Sequence, residues 1–222
     1  MLVQEVKSLL YKELLLEWRH KYALNGILLY TFSTIFICYL SFNIKNVGIS
    51  QLSWNALFWI IMLFSATSAM AKSFVQEGQD RVLYYYTLVS PQGIILSKMI
   101  FNVLLTLVLS ALALALFSLV LGYPVQDHTL FLINLILGSF GLATTLTMIS
   151  GIASKAGNNA ILMAILSFPV VLPVLLMVIK ISKNAIDGID RSSSWDEVVN
   201  LIAINVIIGT LAYILFPYLW RS

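Results

Sequence analysis

Six long apolar runs make up most of the chain, and nearly all of its charged residues lie between or beyond them. Each run has roughly the 20 apolar residues that a helix needs to cross a bilayer. The pattern predicts an all-α integral membrane protein that forms one domain over residues 1–222. Its six transmembrane helices are expected at residues 22–42, 52–71, 94–121, 128–152, 159–180 and 198–219.

Residues 1–21 show a different, amphipathic pattern. Apolar residues recur there every three or four positions: Val3, Val6, Leu10, Leu14 and Trp18. Glu5, Lys12 and Arg19 fall on the opposite face. The pattern predicts an interfacial helix that lies along the membrane surface, with an apolar side wide enough to pack against the bundle as well.

Two acidic residues of this helix, Glu13 and Glu17, stand four positions apart. Like charges at this spacing repel each other unless a basic group faces them. Two interpretations therefore stay open at this point. The carboxylates either point to water at the edge of the apolar face or meet a basic side chain of another segment.

A charged connector, residues 72–93, separates the second span from the third. It is too long for a tight turn, and Glu77 and Arg81 stand at the i,i+4 spacing that lets opposite charges meet on a helix. With Asp80 between them, they predict a short amphipathic connector helix on the cytoplasmic surface that is offered to a partner. The alternative is a merely solvated connector. Lys98, in the first turns of the third span, is expected at the membrane interface.

Two of the spans have a distinctive composition. The fourth is rich in Gly, Ser and Thr, which let helix backbones approach closely, so we expect it at the centre of the bundle or at a subunit contact. The fifth carries Pro169 and Pro173. Each proline lacks an N–H and bends a helix. The bend is interpreted either as a fixed structural kink or as a hinge that moves during transport.

Composition agrees with the hydropathy pattern and adds an orientation. The chain is 60% hydrophobic and 10% charged, with a mean hydropathy of +0.93. Of its 13 Lys and Arg residues, only four fall in segments that are outside if the N-terminus is cytoplasmic: Lys45, Lys180, Lys183 and Arg191. Positive residues favour the cytoplasmic side, so both termini are expected there. The net charge of +3 therefore reports topology and does not indicate nucleic-acid binding.

The chemistry of the spans disfavours an enzyme. Their cores carry no Asp, Glu, Lys or Arg, and the chain has neither an HExxH motif nor a Walker A motif. Intramembrane catalysis and ion coupling usually need ionisable groups inside the spans. The remaining hypothesis is a non-catalytic bundle that a separate ATPase subunit drives through cytoplasmic helices.

Three stretches are distinctive: KELLLEWRH at 12–20, FVQEGQDRVLYYYTLVSPQGIILSK at 74–98 and GIASKAGNNAILMAILSFPVVLPVLLM at 151–177. They resemble the CcmB permease family, the B subunit of the haem-exporter system of cytochrome c maturation. Their order and spacing hold over the whole chain. The resemblance implies an ABC-2-type exporter permease in the bacterial inner membrane.

The resemblance also implies partners. These are an ABC ATPase subunit (CcmA-like), a haem-handling membrane subunit (CcmC-like) and a periplasmic haem chaperone (CcmE-like), with two copies of the permease in the complex. ATP would bind to the ATPase subunit, and its hydrolysis would drive haem delivery or release of the loaded chaperone. The residues expected to contact the ATPase are Glu77, Asp80, Arg81, Glu13 and Arg19. The alternative is a permease for lipid, polysaccharide or a drug; an intramembrane enzyme is more remote.

The chain itself is expected to bind no haem. His, Met, Cys and Tyr are the usual axial ligands. His128, beside Asp127 at the start of the fourth span, is the only histidine expected on the outer side, because His20 lies in the N-terminal helix. Cys38 lies inside an apolar run without a basic neighbour that would stabilise its thiolate. We therefore expect the haem ligands to come from a partner.

Overall fold

A computed structural model describes residues 2–20, 22–43, 49–71, 89–155 and 159–221. Within these ranges the secondary structure is helical, in seven α-helices and one 3₁₀ turn at Arg191–Ser194. The α-helices are α1 (Leu2–His20), α2 (Tyr22–Asn43), α3 (Gln51–Ala71), α4 (Pro91–Leu121), α5 (His128–Lys155), α6 (Asn159–Asp187) and α7 (Trp195–Arg221). Helices α2 to α7 are each long and apolar enough to cross a membrane.

The connection between α6 and α7 is shorter than the 17-residue loop expected at 181–197. Helix α6 continues to Asp187, and the 3₁₀ turn leads directly into α7 at Trp195. The chain reverses at Gly188, which has φ +67°. Non-glycine residues rarely adopt that conformation, and a Cβ at this position would also collide with the side chain of Gln126. The sharp reversal allows both helices to extend beyond the predicted spans.

Helix α5 lies at the centre of the bundle, as its small residues predict, and packs against α3, α4, α6 and α7. A Cβ on Gly138 would stand 2.7 Å from the Trp59 ring and 2.8 Å from Val178 Cγ1. Glycine at this position therefore sets how closely α3 and α6 approach α5.

Polar side chains join the C-terminal half of α6 to its neighbours. Asn55 on α3 donates to the carbonyl of Ile179 at 2.9 Å, and Asn134 on α5 donates to the carbonyl of Val178 at 2.8 Å. The Trp59 indole and the Asn134 amide both donate to the hydroxyl of Ser182, at 2.8 and 2.6 Å. These bonds give partners to buried N–H groups that would be costly to leave unpaired in an apolar bundle.

A smaller apolar cluster forms where α1, α4 and α7 meet. Its buried members are Leu9, Ile94, Ile95, Met99, Ala212 and Phe216. Helix α1 therefore packs on the bundle, as predicted, and it does so mainly against the first turns of α4. The residues that make this contact define the candidate site.

Candidate functional site

The start of α4 is fastened to α1 through Glu5. Ser90 caps α4: its hydroxyl accepts a hydrogen bond from the Gly93 amide at 3.2 Å, and Pro91 follows at the first helical position. The same hydroxyl donates to Glu5 Oε2 at 2.7 Å. A negative charge at a helix N-terminus is favoured by the helix dipole. A Cβ on Gly93 would stand 3.1 Å from Glu5 Oε2, so a small residue here leaves room for the carboxylate.

A second carboxylate of α1, Glu13, meets Lys98 two turns further along α4. Lys98 Nζ lies 3.3 Å from Glu13 Oε1, and Lys12 Nζ lies 3.0 Å from the same oxygen. Only 2% of the Lys98 side chain is exposed, compared with 15% for Glu13. Lys98 is therefore buried in an ion pair inside the protein, and it does not extend along a lipid-facing surface at the interface. The structure also decides between the two interpretations of Glu13, because a basic group of another segment faces it.

The two contacts have the same sequence separation. Glu5 pairs with Ser90 and Glu13 pairs with Lys98, each 85 positions apart. Leu9, midway between the two carboxylates, packs in the same cluster as Ile94. The constant separation means that α1 runs in the same direction as the first turns of α4. We refer to Glu5, Glu13, Ser90 and Lys98 as the clasp.

The sequence indicated only part of the clasp. Ser-Pro is a recognisable helix start, because serine caps the N-terminus and proline suits the first helical position. The sequence pattern, however, predicts Glu5 on the polar face of α1, opposite the side that packs on the bundle. The structure places it against α4. An acidic residue can face the bundle here because the N-terminus of α4 binds its carboxylate. The sequence of α1 alone does not show that α4 lies there.

The other residues predicted to contact an ATPase have different positions. Arg19 is exposed near the end of α1. Glu77, Asp80 and Arg81 lie outside the described residues, so their role stays a prediction. Helix α4 begins at Pro91, three residues before the predicted span, so the connector that carries them leads into α4 at Ser90 of the clasp.

Pro169 and Pro173 lie inside α6 on its exposed side, away from the bundle. The bonds from Asn55, Trp59 and Asn134 reach α6 at residues 178–182, beyond both prolines. Near the start of α6, Ile161, Ile165 and Phe168 are exposed. These interhelical hydrogen bonds thus reach α6 on the C-terminal side of both prolines, although Met163, before them, is also buried in the core.

The far end of the bundle, which we expect to face outward, carries a polar pocket of about 660 Å³ between the α4–α5 and α6–α7 connections. Arg191 spans it with two hydrogen bonds to Asp127, at 2.5 and 2.8 Å. The bond from Arg191 lowers the pKa of the Asp127 carboxyl to about 2. Backbone hydrogen bonds from the Gln126 and Asp127 amides to the Ala185 carbonyl join the α4–α5 connection to the last turn of α6. This end is therefore held by both charged and backbone contacts.

His128 lines this pocket and is exposed, and its Nδ1 lies 3.2 Å from the Gln126 carbonyl. Across the described ranges, no group of three or more His, Cys, Asp or Glu side chains is placed to hold a metal ion. Haem ligation by a partner stays a prediction.

Comparison with known proteins identifies the family. No curated protein matches the chain. A model of the CcmB protein family matches residues 4–216, which include the four residues of the clasp and all or most of each span. The chain therefore belongs to the CcmB family: it is an ABC-2-like, multi-pass permease subunit of an ABC transporter for cytochrome c maturation in the bacterial inner membrane.

Proposed function

We propose that this permease couples ATP hydrolysis on a CcmA-like ATPase subunit to haem delivery or to release of a haem-loaded chaperone. The observation that carries the proposal is the clasp. It joins α1 to α4 at the residue where the charged connector ends. The proposal keeps both termini cytoplasmic, so that the connector and α1 lie on the side where ATP is available.

The clasp makes α1 and the start of α4 move as one unit. A displacement of the connector reaches Ser90, passes into α4, and reaches α1 through Glu5 and Glu13. Helix α4 packs along the central helix α5, so the displacement continues into the bundle. In this scheme Glu77, Asp80, Arg81 and Arg19 contact the ATPase, and Glu13 acts by holding α1 in place.

Haem is the cargo of the complex in this proposal, and no residue of this chain is assigned as its ligand. The remaining partners are a CcmC-like membrane subunit and a CcmE-like chaperone, with two copies of the permease per complex. The exposed pocket around His128 is on the side where a periplasmic chaperone would approach.

The test replaces Glu77, Asp80 and Arg81 together by alanine, with Gln76→Ala/Gln79→Ala in the same connector as the control. Surface substitutions usually change stability by only about 0.5 kcal/mol, so both variants should fold. We expect ATPase co-purification in mild detergent to fall about tenfold or more in the triple variant, since loss of central interface contacts costs about 2 kcal/mol or more. Full ATPase binding and full cytochrome c maturation in the triple variant would show that the connector is merely solvated.

A further inference from the structure

A row of exposed side chains runs along α1 on the side that faces away from the bundle. It consists of Val3, Lys7, Tyr11, Leu14 and Trp18, spaced by three or four residues and therefore on one helix face. The exposed fractions are 79% for Val3, 65% for Tyr11, 45% for Leu14 and 77% for Trp18. We call these five residues the outer stripe.

The opposite side of α1 is already occupied by the bundle. Glu5 and Glu13 hold α4, and Leu9 is buried between them. Glu17 is also partly buried, whereas Lys7 and Arg19 are exposed. Glu5 and Glu13 thus face the protein, Glu17 is partly buried, and the exposed charged side chains of the described part of α1 are basic.

The outer stripe has the composition of a membrane–water interface. Trp and Tyr have an apolar ring with a polar tip and prefer the headgroup level of a bilayer. Lysine can lay its apolar stem along such a surface while its ammonium reaches a phosphate. The stripe has apolar residues at both ends and in between, a lysine within it and no acidic residue.

The chain connectivity keeps this surface beside the bilayer. Helix α1 ends at His20, and α2, which is long and apolar enough to span, begins at Tyr22. We propose that the outer stripe is a docking surface for anionic phospholipid headgroups of the adjacent leaflet, with Lys7 as the residue that selects for negative charge. This proposal rests on the exposed face and does not depend on how the ATPase is coupled.

The experiment places the full chain in nanodiscs that contain brominated phosphatidylglycerol or brominated phosphatidylcholine. The Trp18 signal is taken as the fluorescence difference between the wild type and Trp18→Phe. A single lysine near an anionic surface contributes enough attraction for about a fivefold preference. In the wild type, we expect brominated phosphatidylglycerol to quench Trp18 with this preference over brominated phosphatidylcholine. The preference should disappear in Lys7→Gln and remain in Lys7→Arg. Trp195, exposed at the other end of the bundle, serves as a control that Lys7 should not affect.

Three results would overturn the proposal. In the first, neither lipid quenches the Trp18 fluorescence. In the second, both lipids quench it equally in the wild type. The third is a preference that survives in Lys7→Gln. If Trp18 stays unquenched in nanodiscs and becomes shielded from aqueous iodide only when the ATPase subunit is added, the outer stripe docks a protein instead.

Discussion

Gly141 and Asn205 lie so close together that a Cβ on Gly141 would stand 2.5 Å from Asn205 Oδ1. The Asn205 amide donates to the Leu137 carbonyl at 3.0 Å, so its side chain is held across the α5–α7 contact. Val174 Cγ1, on α6, would be 2.9 Å from the same Cβ. Three helices therefore meet at a point where only a hydrogen atom fits.

Gly141→Ala should destabilise the bundle. Overpacking a tight contact typically costs about 1–3 kcal/mol, and here Asn205 would have to give up its position. Gly209→Ala is the matched control, because its Cβ would meet only Met99 Cε, at an ordinary 3.9 Å. Thermal unfolding in detergent should show a lower midpoint for Gly141→Ala and an unchanged or higher one for Gly209→Ala. Equal midpoints for both variants would contradict the close approach.

Reversing the charges of Glu13 and Lys98 should show how much of the clasp's stability comes from their ion pair and how much from packing. Glu13→Lys and Lys98→Glu each place like charges together in a buried site, where breaking a pair costs about 3–5 kcal/mol. The double variant restores an opposite pair and should recover much of that loss. Unfolding midpoints of the four proteins form a double-mutant cycle. Additive effects of the two substitutions would mean that Glu13 and Lys98 do not interact.

Topology can be checked with cysteines in a Cys38→Ser background. Ser50 and Ser193 are exposed at the end of the bundle that we expect to face outward, and Ser8 is exposed on α1 at the other. A membrane-impermeant thiol reagent applied to intact spheroplasts should label Ser50→Cys and Ser193→Cys but not Ser8→Cys. The reverse pattern would place both termini outside.

The Asp127–Arg191 pair predicts a defined dependence on pH. The folded-state pKa of Asp127 is lowered from 3.8 to about 2 by Arg191, so the pair stabilises the fold above about pH 4. That contribution is lost as the pH falls through 2, and it should be modest because the pair is exposed. Asp127→Asn keeps an oxygen for the Leu130 amide, which Asp127 caps at 3.0 Å. The variant should therefore lose less stability than the wild type between pH 4 and pH 2; equal losses would argue against the pair.

The two prolines of α6 can be tested as a hinge. Pro169→Ala/Pro173→Ala restores backbone donors and should make the helix stiffer and at least as stable. If the bend moves during transport, cytochrome c maturation should fall although the protein is present at normal levels. Unchanged maturation would mean that the bend is fixed. Pro217→Ala, in α7, is a control for a proline that lies away from this junction.

The arrangement of helices could be predicted from the sequence because span length and small-residue content can be read from each segment by itself. The central position of α5 is an example, since close approach requires glycines such as Gly138. The clasp could not be predicted in the same way, because it depends on which residue of α4 lies beside which residue of α1. Lys98 illustrates the difference: its place near the start of a span can be predicted from the sequence, but its pairing with Glu13, 85 residues away, cannot. The continuation of α6 to Asp187 is also hard to predict, because the polar residues after Lys180 interrupt the apolar pattern although the helix continues.

The separation of 85 residues between α1 and its partners also sets an order of events during synthesis. When α1 leaves the ribosome, Ser90 and Lys98 have not yet been made. At about 5–20 residues per second, they follow roughly 4–17 s later. During that interval α2 and α3 are synthesised while the partners of Glu5 and Glu13 on α4 do not yet exist. The clasp can therefore close only when the start of α4 reaches the membrane, which makes the third span the step that fixes α1 in its final place.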